Sequence, residues 1–121
     1  MSVSTLKPNV THLTPEEFVQ LAEPPQLIDV RSRLEFNLFH APTAINLSLP
    51  RILMIQVPFL CTWLLPKWFW QFSKDQSIAV ICLTAHRSPI AAQTLVDAGF
   101  TQVFNITGGM IAWKKAGLPT H

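Results

Sequence analysis

The stretch from Ile78 to Phe100 constrains the fold of this chain more than any other. It opens on Ile78-Ala79-Val80-Ile81, a short apolar run rich in β-branched residues, which reads as a strand buried on both faces. Cys82 follows, then a loop ending in Arg87, then a helix in which Ala91, Ala92, Leu95, Val96 and Ala98 recur at helical spacing. Ser88 suits the N-cap and Pro89 the first turn. Gly99 closes the helix, and Phe100 is placed for the apolar contact of a Schellman cap.

That order of elements carries chemistry. A thiol at the C-terminal end of a buried strand faces the crevice where open α/β sheets bind ligands. The loop runs into a helix N-terminus, whose first N–H groups lack intrahelical partners and favour an anion. Arg87 adds a positive charge. Together these favour the thiolate of Cys82, which is the nucleophilic form, and the same cradle suits an anionic substrate. Against this stands a structural reading, in which Cys82 is a small buried residue at a strand end. Cys-x-x-x-x-Arg is weak alone; between a strand and a helix it favours the nucleophile.

The rest of the chain repeats the alternation. Residues 1–9 read as a loose arm, and Val10-Thr11-His12 as a short strand. Thr14-Pro15-Glu16-Glu17 is a capping box that starts a helix directing Phe18, Val19 and Leu21 inward and stopping before Pro24-Pro25. Leu27-Ile28-Asp29-Val30 is a second buried strand, with Asp29 and Arg31 at its C-terminal end. Ser32 caps a short helix, with Glu35 at the capping-box position. Ala44–Leu47 and Gln102–Ile106 read as strands, and Gly108-Gly109 starts a last helix ended by Gly117 and Pro119. Alternation of this kind implies one parallel sheet covered on both faces.

Composition narrows the function. The 121 residues make one domain with room for a full core. A net charge of +2, with Lys114-Lys115 the only adjacent basic pair, argues against nucleic acid. Two cysteines, Cys61 and Cys82, make no disulfide framework, and four His without paired spacing make no zinc site. No signal-peptide pattern opens the chain, so a reducing cytoplasm is expected.

In order along the chain, Leu27-Ile28-Asp29-Val30-Arg31 with Glu35-Phe36, His40–Asn46, Cys82–Ser88, Ala98-Gly99-Phe100 and Gly108–Trp113 with Gly117-Leu118-Pro119 resemble the motifs of the rhodanese (sulfurtransferase) domain family. The resemblance spans residues 10–119. It implies a three-layer α/β fold with a central five-stranded parallel sheet and helices on both faces. It also implies a sulfurtransferase that takes a sulfane sulfur from a small anionic donor, holds it as a Cys82 persulfide and passes it to a thiol or cyanide-like acceptor, with no cofactor and no metal. By the same resemblance Leu83, Thr84, Ala85, His86 and Arg87 surround the outer sulfur with backbone N–H groups. Arg87 and Ser88 fix the loop and the helix start. Asp29 and Arg31 form a buried pair, more structural than catalytic, that supports the loop from the neighbouring strand. Arsenate reductases and cell-cycle phosphatases of this fold carry a loop one residue longer; the count from Cys82 to Arg87 matches the sulfur-transferring form. Three departures stand out: Ala85 and Thr43 where Gly is usual, and no Lys or Arg between Cys82 and Arg87. The last points to a persulfide rather than thiosulfate as donor. His86 is expected to face solvent or the entrance rather than act as a base.

The chain is 49% hydrophobic and 13% charged, against about 25% charged in an average domain. Much of that bias lies in an insert, residues 50–73, where Ile52 to Pro66 carries no charge and three of the four Trp residues are found from Trp63 to Trp70. Pro58 and Pro66 break it below the ~20 residues a membrane span needs, and a single pass would put strands of one sheet on opposite sides of the membrane. Two readings remain: short helices packed on the sheet and lining the mouth of the site, or an exposed patch, Ile52–Phe72, that docks on a membrane surface or a partner. In the second reading the chain is a low-turnover binding or sulfur-sensing module. Cys61 reads as a buried structural thiol.

Overall fold

The apolar runs form five strands: β1 (Thr11–Leu13), β2 (Gln26–Asp29), β3 (Ile45–Asn46), β4 (Ile78–Ile81) and β5 (Val103–Ile106). The computed structural model describes residues 9–57, 65–84 and 86–121. All pairings are parallel and the order is β1-β5-β4-β2-β3. After β2 the chain moves outward to β3, and after β4 it moves the other way to β5. The strand order therefore switches between β2 and β4, and the crevice for a ligand opens at their C-terminal ends.

Alternation along β4 sorts the core. Ile78, Val80 and Cys82 join one apolar cluster with Ile28, Val30 and Val103, beneath α3 (Leu49–Leu53), α4 (Lys67–Trp70) and α5 (Ser88–Asp97). Ala79 and Ile81 join the other with Leu27, Ile106, Met110 and Trp113, beneath α1 (Pro15–Val19) and α6 (Gly109–Lys115). A sheet covered on both faces is what the unbroken apolar runs require.

Both capping boxes form. The Thr14 and Ser32 hydroxyls accept from the N–H groups of Glu17 and Glu35, whose carboxylates accept from Thr14 and Ser32 N–H. Ser32 and Glu35 open α2 (Arg33–Leu38). At the end of α5 the Phe100 N–H donates to Leu95 C=O and the Gly99 N–H to Val96 C=O, the pair of bonds of a Schellman cap.

α1 departs from expectation. Phe18 is buried, but Val19 is 44% and Leu21 37% exposed. The helix has only five residues, little more than a turn, so it turns a single large side chain to the sheet. Thr43 sits at φ 70, the only non-glycine at positive φ among the described residues. The turn there keeps the conformation glycine would supply, and a β-branched residue bears a cost of about 1–2 kcal/mol for it.

Most apolar side chains of the insert that are described pack inward, though Val57 is 38% exposed. Ile52, Leu65 and Phe69 are buried in the α5-side cluster, and Leu49, Ile55, Trp68 and Phe72 pack against it. Trp70, 47% exposed, points away. Cys61 and Pro58 lie outside the described residues. Among the described residues no helix is long and apolar enough to cross a membrane.

Candidate active site

Cys82 leaves β4 at the switch point and is 1% exposed. Its loop is held from below. The Met110 and Ile111 N–H groups, at the start of α6, donate to the carbonyls of Cys82 (2.7 Å) and Leu83 (3.0 Å). These helix-end donors need partners outside the helix, and the loop carbonyls fill that need. The contact is close enough to require Gly109. It lies at φ +62, and a Cβ there would stand 2.5 Å from Cys82 O and from Leu83 C and O. Sequence alone assigns the Gly108-Gly109 pair to a helix start; its second task is to seat the loop.

With the carbonyls engaged below, the described N–H groups of the loop have no such anchor among the described residues. Those of Leu83, Thr84, His86 and Arg87 donate to no protein acceptor among the described residues. Ala85 lies outside the described residues. The loop leads into α5, and the arrangement offers several donors to an anion at one place. His86 is exposed, in line with a side chain facing solvent.

The sequence pattern has Arg87 lending its charge to the cradle. Its guanidinium also binds Glu35 in bidentate fashion, Nη1 to Oε1 at 2.7 Å and Nη2 to Oε2 at 2.9 Å. One carboxylate thus starts α2 and ties it to the Cys82 loop. The hydrogen bond from Arg87 holds the Glu35 carboxyl down at about 2, below its ordinary 4.5; burial opposes this and Ser32 assists. Arg87 still acts on Cys82 through space. The pairing escapes a sequence reading because Glu35 already has a role in the capping box. The signal available is the order of elements: an acid just after β2 and a cation just after the loop that follows β4.

The pH dependence follows. Glu35 has a folded pKa below its unfolded value, so its contribution is complete above about 4.5 and is lost as pH falls toward about 2. Both partners are about a third exposed, which screens the pair to roughly 1 kcal/mol. Urea midpoints measured at pH 7 and pH 2 should show Glu35→Gln less stable than wild type at the higher pH and nearly level with it at the lower.

Ser88 departs from the expected N-cap. Arg87 is the N-cap of α5, without a side-chain bond, and Ser88 is the first helical residue. Its hydroxyl turns inward, fully buried, accepting from Cys82 Sγ at 3.4 Å and donating to Asn105 Oδ1 at 2.5 Å. Asn105 is not foreseen from sequence, since a polar residue inside an apolar strand gives no local sign of its partner.

Asp29 and Arg31 do form a buried pair, Nη2 to Oδ2 at 2.8 Å. Arg31 also donates to Phe39 C=O, and Asn46 Nδ2 donates to the carbonyls of Asp29 and Arg31. These bonds join the end of β2 to α2 and β3. Among the described residues none runs to the Cys82 loop, so any support for the loop passes through the β2–β4 ladder and Val30 N–H to Ile81 C=O.

A cavity of ≈ 420 Å³ opens beside Arg87, walled by Val30, Leu49 and Pro50 and edged by Ser32, Ser48 and Arg33. Its described lining follows the carboxyl ends of β2 and β3, with Arg87 on the side of the Cys82 loop, next to the crevice where this topology puts a substrate.

The rhodanese-like domain model matches residues 14–116. The chain belongs to the rhodanese-like domain family. A thiosulfate sulfurtransferase, GlpE, of Vibrio cholerae is 32% identical over 93 residues, 77% of this chain and 76% of that protein. An uncharacterized protein of Synechocystis is 33% identical over 119 residues, 97% of this chain. The chain spans only 59% of that relative's length. Among solved structures, the Rhodanese_3-like domain of an Anabaena protein is 26% identical with TM-score 0.63, over 80% of this chain and 98% of that one. A Rhodopseudomonas palustris protein of unknown function, described as a possible tyrosine phosphatase, is 25% identical with TM-score 0.75, over 93% of this chain and 85% of that one. At the level of the family the similarity is to sulfurtransferases.

Proposed function

We propose that this rhodanese-like protein moves a sulfane sulfur from a small anionic donor to a thiophilic acceptor through a persulfide on Cys82. The observation that carries the reading is the setting of Cys82: a sulfur at the switch point of the sheet, in a loop whose N–H groups are not engaged by protein acceptors among the described residues. The thiolate attacks the outer sulfur of the donor. A new S–S bond forms, and the donor's own bond to that sulfur breaks, its electrons leaving with sulfite or a thiolate. The acceptor then attacks the outer sulfur and Cys82 departs as thiolate. Loop N–H groups stabilise negative charge on the transferred sulfur.

The donor follows from the walls. Arg87 is committed to Glu35, which leaves Arg33 as the cation at the edge of the neighbouring cavity. An anionic tail reaching Arg33 along an apolar wall of Val30, Leu49 and Pro50 fits an organic persulfide better than compact thiosulfate. The names of the relatives keep thiosulfate as a donor to be tested. Loop length favours sulfur transfer over phosphatase chemistry.

The test is intact-mass spectrometry of the reduced protein after brief exposure to thiosulfate or to glutathione persulfide, beside Cys82→Ser. One added sulfur on wild type alone, released by cyanide as thiocyanate, is expected, with the persulfide the faster donor. No added sulfur from either donor would remove the reading.

A further inference from the structure

From Cys82 a row of side chains crosses the sheet toward its edge. Cys82 Sγ donates to Ser88 Oγ (3.4 Å), Ser88 Oγ donates to Asn105 Oδ1 (2.5 Å), and Asn105 Nδ2 lies 3.1 Å from His12 Nδ1. The sheet order β4, β5, β1 sets this row, and His12 and Asn105 are partners in the β1–β5 register, so their side chains share a face. Ser88 and Asn105 are buried among apolar residues, while His12 is exposed. The sulfur-transfer steps above make no use of Asn105 or His12.

The direction of each bond matters. Ser88 has one hydroxyl proton, and here it is committed to Asn105. Ser88 therefore turns a lone pair to the sulfur. That suits a thiol, which donates; a thiolate needs a donor instead. The Ser88 proton can turn to the sulfur once Asn105 offers it N–H in place of oxygen, with the amide turned over. The amide oxygen then faces His12, which must present Nδ1–H. Histidine can do either: neutral with Nδ1 bare, it accepts from Asn105; protonated, or in its other tautomer, it donates.

We propose that Asn105 and His12 are positioning residues that set the orientation of the Ser88 hydroxyl, so that a proton on His12 Nδ1 stabilises the thiolate of Cys82. The row hands on orientation, not a proton. The thiol proton leaves to solvent, and exposed His12 draws its own from solvent. Other charges near the two ends are few among the described residues. At the Cys82 end Arg87 interacts with Cys82, with Glu35 on it, and more weakly with Asp29, which is itself paired with Arg31. Around His12, β5 carries none, α1 carries Glu16 and the Thr14-bound Glu17, and α5 carries Asp97, held by Gln93 at its far end.

The inference rests on Cys82 being the working nucleophile, but its test reads the thiol alone. Alkylation of Cys82 by iodoacetamide, followed by peptide mass across about pH 5 to 10, gives the midpoint of thiolate formation. Ser88→Ala should raise that midpoint by about 1 pH unit and His12→Leu by about 0.5. Ser88→Thr, which keeps the hydroxyl, should restore it. The double variant should sit no higher than Ser88→Ala, since His12 reaches the sulfur only through Ser88. An unchanged midpoint in His12→Leu, or a shift that adds in full to that of Ser88→Ala, overturns the proposal. His12 lies at an exposed edge, so its variant decides the matter even where Ser88→Ala does not fold. Shifted midpoints without sulfur uptake would sink the transfer reading and leave the row standing; uptake without a His12 effect would do the reverse.

Discussion

Gly109→Ala should cut sulfur transfer by about a hundred-fold or more and cost roughly 3 kcal/mol of stability. Two causes act together. The residue sits at φ +62, where a Cβ costs about 1–2 kcal/mol. The added carbon would also lie 2.5 Å from backbone atoms of Cys82 and Leu83, which cannot swing aside as a side-chain end can. The strand end, the loop or the start of α6 must therefore move. The loop carbonyls lose good geometry to the Met110 and Ile111 N–H groups, and the sulfur shifts within its cradle. Displacements of about 1 Å at a reacting atom are enough for a hundred-fold effect. Gly117→Ala is the matched control. Its φ is +75, but nothing lies within 4 Å of a Cβ there, so it should show the conformational cost alone with normal transfer. Urea denaturation and single-turnover transfer from a persulfide donor, run on both variants, separate the two causes.

Arg31→Met should cost about 3–5 kcal/mol in urea denaturation while leaving the transfer rate of the folded protein within a few-fold of wild type. Asp29 and Arg31 are 0% and 1% exposed, and their mutual bonds satisfy charges that water cannot reach. Removing the guanidinium leaves a buried carboxylate with little beyond Arg31 N–H and strips a donor from Phe39 C=O. Replacing both residues, as Asp29→Leu with Arg31→Met, should be milder than the single change, because no unpaired charge remains. A large fall in the rate of folded Arg31→Met would instead place the pair in the chemistry.

Much of this is legible locally. Thr14 and Ser32 start helices because a short polar side chain before an acid three residues on satisfies free N–H groups within one turn. Gly99 and Phe100 close α5 by the same local logic. The β-branched run Ile78–Ile81 ending in Cys82 places the candidate nucleophile, since strand, loop and helix start are adjacent in the chain. Even Thr43, where glycine is usual, keeps the positive φ of the turn.

What escapes joins residues distant along the chain. Glu35 and Arg87 are 52 positions apart, and Asn105 and His12 are 93 apart. Their partners depend on which strands are neighbours, and that order is a property of the whole sheet. Gly109 reads as a helix start because its clash is with Cys82 and Leu83, not with its own neighbours. Val19 and Leu21 are misplaced because periodicity names a face but not the length of helix that the sheet can cover. The alternating elements, their caps and the cysteine at the end of a buried strand are readable from the chain alone, since all of these follow from interactions within a few residues. What surrounds that cysteine depends on which distant elements the sheet brings together: the Glu35 that holds Arg87, the helix start that seats the loop, and the polar row that reaches His12.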